Sequence, residues 1–208
     1  MEIGFDLKKY VTAQARGLTE RVKKFSKLYL EVGGRLCQDT HTSRALPGYE
    51  KDAKLRVLRF LEDFDFIYCI SARDITNQKR RKNSGGQLLT DYALDDLENL
   101  ISAGIKKPKI AMTLFKEEKK VSEFKDVLKK KSYEVYVFNE LNSYPCSPEK
   151  VLSEEGFGQY DLIETKNNLV VVSAPGGDSG KMGFCISQLY LNSLKSVPCC
   201  FAKFENLP

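Results

Sequence analysis

Apolar runs rich in β-branched and aromatic residues alternate along this chain with charged segments whose apolar residues recur every three or four positions. The runs predict β-strands and the charged segments predict amphipathic helices. The predicted strands cover 27–32, 64–71, 109–114, 134–138, 168–173 and 199–202, and the predicted helices cover 7–25, 51–63, 88–103, 118–131 and the stretch from Lys181 to Leu194. This alternation predicts an α/β fold, a Rossmann-like, doubly wound, mostly parallel sheet of five or six strands with helices on both faces.

Two polar stretches and the absence of a linker complete this outline. Residues 72–86 and 142–161 are predicted to be surface loops, the second with one helical turn near 148–152. The 208 residues contain no interdomain linker, so we expect a single α/β domain over 1–208. The sequence stops just after the sixth predicted strand, and we therefore also expect the chain to be the N-terminal portion of a longer fold.

Composition narrows the class of protein. The chain has 33 basic and 28 acidic residues and is 42% hydrophobic, as in ordinary globular proteins. No apolar run approaches the roughly 20 residues of a membrane-spanning helix, and no signal peptide is recognisable at the N-terminus. Six cysteines without a C-x-x-C pair and a single histidine predict no metal site. We expect a cytoplasmic protein with no membrane partner.

The strongest chemical signal follows the nearly all-apolar fifth strand. The sequence there is Pro175-Gly176-Gly177-Asp178-Ser179-Gly180-Lys181, before the last helix. A strand, a glycine-rich turn and a helix N-terminus present backbone N–H groups to an anion, so Gly176, Gly177, Ser179, Gly180 and Lys181 are predicted to bind phosphate. The turn resembles a P-loop, although Pro175 and Met182 replace two of its fixed residues and Asp178 would repel phosphate. The alternative is a tight turn whose glycines only allow packing.

A second group follows the first strand. Gly33 and Gly34 end that strand, and Asp39, His41 and Arg44 come after them. Ligands of open α/β sheets bind at the carboxyl ends of the strands, so we predict a catalytic His41 oriented by Asp39, with Gly33, Gly34 and Arg44 binding substrate. The alternative is a polar loop with a solvated histidine.

Other charged residues extend this prediction. Arg73 follows the second strand, and Glu155 lies in the second polar stretch; both are predicted to bind substrate. The basic run 79–82 has no interleaved aromatic residue, so we interpret it as a solvated loop and predict no nucleic-acid partner.

Three segments carry a family resemblance. They are YLEVGGRL at 29–36 with Asp39, His41, Arg44 and Leu46-Pro47-Gly48; VLSEEGFG at 151–158 with Ile163-Glu164-Thr165; and VVVSAPG at 170–176 with Ser179-Gly180-Lys181 and Ser187-Gln188-Leu189-Tyr190. Together they closely resemble the DUF1846 (UPF0371) family. The resemblance implies a largely bacterial, cytoplasmic family of longer α/β proteins, of which this chain is the N-terminal part, and it assigns no reaction. The family tends to have Pro-Gly where this chain has Gly177-Asp178.

These observations lead to two hypotheses of function. The first is binding of a phosphate-bearing small molecule, a nucleotide with Mg²⁺, at the degenerate P-loop-like turn. The second is a noncatalytic binding or oligomerisation module, a homo-oligomer derived from a truncated enzyme. The residues do not decide whether the chain is an enzyme.

The first hypothesis carries a geometric prediction. The strands 27–32, 64–71 and 169–173 should be parallel neighbours, so that the segments after them line one cleft. In that cleft His41, Arg44 and Lys181 should lie within about 15 Å of one another.

Overall fold

The computed structural model of the protein describes residues 4–37, 39–61, 63–81 and 85–205, with the backbone alone at Thr40 and His41. The helices are α1 (Leu7–Lys24), α2 (Thr40–Ala45), α3 (Ala53–Arg59), α4 (Ala72–Thr76), α5 (Leu89–Ser102), α6 (Lys119–Lys130), α7 (Pro148–Val151) and α8 (Lys181–Leu194). The strands are β1 (Lys27–Val32), β2 (Phe64–Ser71), β3 (Arg80–Arg81), β4 (Gln87–Leu88), β5 (Lys109–Phe115), β6 (Val135–Asn139), β7 (Leu169–Ser173) and β8 (Cys199–Phe204).

Six strands form one sheet in the order β6-β5-β2-β7-β1-β8. Every neighbouring pair is parallel; Leu28 of β1, for example, lies opposite Leu169 of β7 and Cys200 of β8. The predicted α/β fold is therefore confirmed. Strands β1, β7 and β2 are adjacent and parallel, so the segments that follow them emerge at one edge of the sheet.

Each face of the sheet carries its own hydrophobic core. On β7, Leu169 and Val171 point to one core and Val170 and Val172 to the other, as the two-residue period of a strand requires. The first core is covered by α1, α3, α5 and α6, whose buried residues follow helical spacing. The second core is covered by α8, through Phe184 and Cys185.

The chain leaves two neighbouring strands toward opposite faces. After β1 it passes to α2 and α3 and then enters β2, whereas after β7 it passes to α8 and then enters β8. Such a switch point opens a crevice between the carboxyl ends of the two strands, which is where open α/β sheets bind ligands. In this fold the switch point lies between β1 and β7, which Gly33 and Gly176 follow in sequence.

Two segments without a predicted helix or strand contain regular structure. The stretch 72–86, predicted as a loop, contains α4 and β3, and β3 pairs with β4 just beyond it; the stretch 33–44, for which a polar loop was the alternative to a site, contains most of α2. These elements are too short to show a periodic pattern. Each short helix begins at a side-chain cap, with Asp39 accepting from the Thr42 N–H and Ser71 accepting from the Asp74 N–H.

Candidate functional site

The turn between β7 and α8, residues 175–181, is called the glycine loop below. Gly180 is the N-cap of α8 with φ of 70°, a left-handed conformation that favours glycine. Hydrogen bonds within the loop stabilise its conformation. The Ser179 hydroxyl donates to the carbonyl oxygens of Gly176 and Gly177, at 3.0 and 3.3 Å, and the Lys181 ammonium donates to the carbonyl oxygen of Gly176 at 3.1 Å. Lys181 is buried, so its charge is held beside the loop.

Several backbone N–H groups of the glycine loop have no partner in the part of the protein that the structure describes. Among those residues, no side chain caps the N-terminus of α8. Within the described residues, the N–H groups of Gly176, Gly177 and Asp178 donate no hydrogen bond to the protein. Unpaired N–H groups in a turn that leads into the N-terminus of a 14-residue helix favour an anion beside that turn.

Beside the first half of the loop lies a hollow of about 280 Å³, called the basic cavity below. It is lined by Lys79, Arg80, Arg81, Leu89, Gly176, Gly177 and Asp178. Arg80 and Arg81 form β3, and Lys79 precedes it; the basic run to which they belong was predicted to be a solvated loop. Lys82, the last residue of that run, lies outside the described residues. Three cations and the carboxylate of Asp178 therefore line the basic cavity.

Arg81 of the basic cavity lies against the glycine loop. A β-carbon built on Gly176 would lie 2.6 Å from Nη1 of Arg81. The guanidinium also lies over the ring of Tyr92, at 4.4 Å from its centroid, and Arg35 approaches the same ring at 5.1 Å. Burial lowers the pKa of Arg81, and the neighbouring charge of Arg35 lowers it further.

Partners inside the protein reduce the freedom of the other two cations. Lys79 donates to both carboxylate oxygens of Asp74, at 3.1 and 3.0 Å, and Arg80 donates to the carbonyl oxygen of Gly86 at 2.8 Å. Arg81 is therefore the cation of the basic cavity best placed to meet a ligand on the glycine loop.

The predicted substrate glycines at the end of β1 make contacts within the protein. The Gly33 N–H donates to the carbonyl oxygen of Phe204 at 2.8 Å, and the Gly33 carbonyl accepts from the Lys54 ammonium at 2.5 Å. The Glu205 carboxylate lies against the α-carbon of Gly33. Gly34 has φ of 63° and is exposed. The backbone of Gly33 thus holds β1, β8 and α3 together.

Asp39, predicted to orient a catalytic histidine, is buried at the start of α2. Its carboxylate accepts from the N–H of Thr42 at 3.1 Å and from the hydroxyl of Thr42 at 3.0 Å, and it lies 3.4 Å from the ammonium of Lys54. Burial lowers the pKa of Lys54, and the charge of Asp39 opposes that shift. These contacts give Asp39 a structural part in the loop that follows β1.

The remaining predicted residues are more dispersed. His41 lies on α2, but its side chain is outside the described residues, so its catalytic role stays a prediction. Arg44 is exposed on α2, and Glu155 is exposed before the 3₁₀ turn Phe157–Gln159. Arg73 lies in the first turn of α4 and pairs with Glu140.

A comparison with protein families identifies the chain's relatives. The profile described as "Domain of unknown function DUF1846, N-terminal" matches residues 3–208. The chain belongs to this family. It is 36% identical to a UPF0371 protein of Clostridioides difficile strain 630, covering 100% of this chain and 42% of the relative. It is 38% identical to a UPF0371 protein of Corynebacterium aurimucosum, covering 99% of this chain and 42% of the relative. This DUF1846 chain therefore spans about two fifths of the length of these curated relatives.

A second cavity of about 280 Å³, called the aromatic cavity below, lies at the same edge of the DUF1846 domain. Its aromatic lining residues are Phe138, Tyr144, Phe157, Tyr160 and Phe184, and its other lining residues are Arg73, Thr113, Leu114, Asn139, Glu140, Leu141, Gly180 and Gly183. Two predicted site residues, Arg73 and Gly180, meet here. The sequence analysis assigned none of these aromatic residues to a site, because they come from a predicted strand, a polar stretch and the last helix, and no local pattern joins these three segments.

Glu31 is a further residue that the sequence analysis missed in this DUF1846 domain. It is 6% exposed near the end of β1, and its Oε2 has no hydrogen-bond partner within the described residues. Burial raises the pKa of its carboxyl, and the charges of Lys181 and Lys203 oppose the shift. The sequence did contain a signal for this residue, because Glu31 is an acidic residue between the apolar Leu30 and Val32 of a predicted strand.

Other features of the DUF1846 domain do not point to a site. The cavity at the amino edge of the sheet, about 650 Å³, includes Lys23 and Lys166 and lies away from the strand ends that bind ligands. Over the described ranges, no group of three or more His, Cys, Asp and Glu side chains is placed to hold a metal ion. None of the helices described has the length and apolar character that a bilayer crossing requires.

Proposed function

We propose that this chain binds a phosphate-bearing small molecule, a nucleotide, with its phosphate groups on the glycine loop. The observation that carries the proposal is the position of the Arg81 guanidinium against Gly176, beside an α8 N-terminus that has no side-chain cap. A guanidinium supplies paired donors for phosphate oxygens, and the free N–H groups supply others.

Lys181 supports the same assignment. Its ammonium lies on the Gly176 carbonyl oxygen, so a phosphate seated on the loop would meet a positive charge already held in place. Lys181 would then act as the point charge that a P-loop lysine provides.

Mg²⁺ would have one carboxylate available on the loop. Met182 stands where a P-loop has its metal-binding hydroxyl, and the Ser179 hydroxyl is already used within the loop. Asp178 is exposed and lines the basic cavity. Asp178 would hold a hydrated Mg²⁺ that comes with the phosphate ligand, because Mg²⁺ is commonly held by one or two carboxylates and by substrate phosphates.

Calorimetric titration with the four ribonucleoside triphosphates and with tripolyphosphate, each with and without Mg²⁺, tests the proposal. We expect binding by the wild-type chain and an affinity about tenfold lower for Lys181→Met, since one charge-assisted contact is lost. Lys195→Met is the matched control, because Lys195 is exposed at the opposite end of the same helix.

The outcomes separate the two hypotheses of function. Binding that Lys181→Met weakens and Lys195→Met leaves unchanged would support the phosphate site. Absence of binding to every probe, or equal affinities in all three proteins, would contradict it. The glycine loop would then be a packing turn, as the alternative of a noncatalytic module requires.

A further inference from the structure

We propose that the aromatic cavity binds the base of a nucleotide whose phosphates lie on the glycine loop. The inference rests on the proposed function and adds where the base of the nucleotide binds. The loop joins the two cavities directly. Gly176 and Gly177 line the basic cavity, and Gly180 lines the aromatic cavity.

The walls of the aromatic cavity are suited to a planar ring. Phe138 meets Phe184 and Tyr160 edge to face, with centroids 5.0 and 5.3 Å apart, and Phe157 lies 5.8 Å from Tyr160. Tyr144 extends this chain of rings, 6.1 Å from Phe157, and is 36% exposed. The buried rings hold one another in place, while Tyr144 leaves part of its surface free to stack on a ligand.

The mouth of the cavity offers hydrogen-bonding groups for the edge of a base. Arg73 pairs with Glu140, and Glu140 also lies 3.1 Å from the ammonium of Lys116. The hydrogen bond from Lys116 and that from Arg73 lower the pKa of Glu140, so an ionised acceptor stands beside a guanidinium donor. A base edge carries both donors and acceptors, and this pair can satisfy each kind.

A β-bulge shapes the wall nearest the glycine loop. Strands β5 and β6 pair regularly up to Met112 opposite Val137 and again at Phe115 opposite Asn139, so two residues of β5 face Phe138 alone. The second of them, Leu114, has φ of 49°, which residues other than glycine rarely adopt. The first, Thr113, donates to the carbonyl oxygen of Ser179 at 2.8 Å. The bulge thus ties the cavity wall to the loop, and bulges are frequent beside binding sites.

The dimensions match part of a nucleotide. A cavity of about 280 Å³ is at the lower limit of ligand pockets, so it suits a ring system rather than a complete nucleotide. From Gly177 to Gly180 the chain advances three residues, which span at most about 11 Å. The sugar and phosphates of a nucleotide can cross that distance along the loop.

Calorimetry on the full chain with Mg²⁺ tests this inference, comparing tripolyphosphate with the best-binding ribonucleoside triphosphate. We expect the nucleotide to bind at least about tenfold more tightly than tripolyphosphate, as stacking of one base allows. Tyr144→Ala should remove most of that advantage and leave the tripolyphosphate affinity unchanged. Tyr144→Phe, which keeps the ring, should retain it, and Phe60→Ala, which removes an exposed ring outside the cavity, should have no effect.

The results distinguish this inference from the proposed function. If tripolyphosphate and nucleotide bind equally, or if Tyr144→Ala weakens both to the same extent, the base site is wrong and the phosphate site stands. If neither probe binds, both proposals are wrong. If the advantage of the nucleotide disappears in Tyr144→Ala alone, the base site is supported.

Discussion

The guanidinium of Arg81 lies so close to the α-carbon of Gly176 that a β-carbon there would be 2.6 Å from Nη1. The two residues are far apart in sequence, and the contact joins the β3–β4 hairpin to the glycine loop. Gly176 allows this approach because it has no side chain. A glycine is therefore needed here for the contact with Arg81 and not for the conformation of the loop.

The first prediction concerns this contact. Arg81→Ala should lower the affinity for tripolyphosphate about tenfold, since a charged hydrogen-bonding partner is removed. Gly176→Ala should lower it less, because a methyl group displaces only the flexible end of Arg81. Titration calorimetry measures both, with Arg21→Ala, which removes an exposed arginine of α1 outside the basic cavity, as the control. An unchanged affinity in Arg81→Ala would show that the basic cavity is not the phosphate site.

A second prediction concerns the negative charge in the basic cavity. Asp178→Asn should raise the affinity for tripolyphosphate in the absence of Mg²⁺ by about fivefold, since a like charge near the surface costs roughly 1 kcal/mol. Asparagine tolerates the φ of 57° at this position. With Mg²⁺ present the gain should shrink, because the ion would lose a ligand. A gain of the same size under both conditions would contradict a role for Asp178 in holding the metal.

A third prediction separates the glycines of the loop by their conformations. Gly180→Ala should lower the free energy of unfolding by about 1–2 kcal/mol, because φ of 70° is left-handed and a β-carbon would lie 2.8 Å from the side chain of Thr113. Gly177→Ala should change it little, since a β-carbon there meets no atom within 4 Å. Urea unfolding curves compare the two variants. Equal stabilities would show that the loop relaxes freely around Gly180.

A fourth prediction concerns the buried pair after β1. Lys54→Met should lower the free energy of unfolding by about 3–5 kcal/mol, because the Asp39 carboxylate would remain buried without its cation. The carbonyl oxygen of Gly33 would also lose its donor. Lys51→Met, at an exposed position, is the control for thermal and urea unfolding. A loss below about 1 kcal/mol would mean that water replaces the ammonium.

A fifth prediction follows from the raised pKa of Glu31. Its usual value is 4.5, and burial raises the pKa in the folded chain. Ionisation of the Glu31 carboxyl therefore destabilises the fold. The destabilisation is absent well below pH 4.5, grows as the pH rises toward the folded-state pKa, and is constant above that pKa. Glu31→Gln should raise the melting temperature at pH 7, and its advantage should decrease as the pH falls toward 4.5.

Melting temperatures of wild type and Glu31→Gln over this range provide the measurement, with Glu155→Gln as an exposed control. A variant less stable than wild type at pH 7 would show that Lys181 and Lys203 compensate the burial of Glu31, so that its charge supports the fold. The same titration would then link Glu31 to the position of Lys181.

The six sheet strands agree with the sequence patterns to within a few residues, and the five long helices agree to within about four. Several short elements were not predicted from the sequence. Helices α2 and α4 have six and five residues, and strands β3 and β4 have two each. Their formation depends on caps and on packing against the rest of the domain, because isolated helices of this length are not stable.

The candidate site was predictable in part. Its glycine loop follows from a strand, a glycine cluster and a helix in sequence, which is a local pattern. Arg81 and Tyr144 were not predictable. Arg81 contacts the loop from a segment about 95 residues away in sequence, and Tyr144 lines the aromatic cavity with Gly180 from about 35 residues away; no local sequence pattern reports such contacts.

The sequence by itself determined which residues form strands and helices, because alternation and helical spacing record which side of each element is buried. The tertiary structure decided the strand order β2-β7-β1, and with it the convergence of the segments after these strands at one edge. It also decided that Arg81 lies on Gly176 and that Glu31 is buried near the end of β1. These relationships arise from packing between elements distant in sequence, where the energies of many weak contacts select one arrangement.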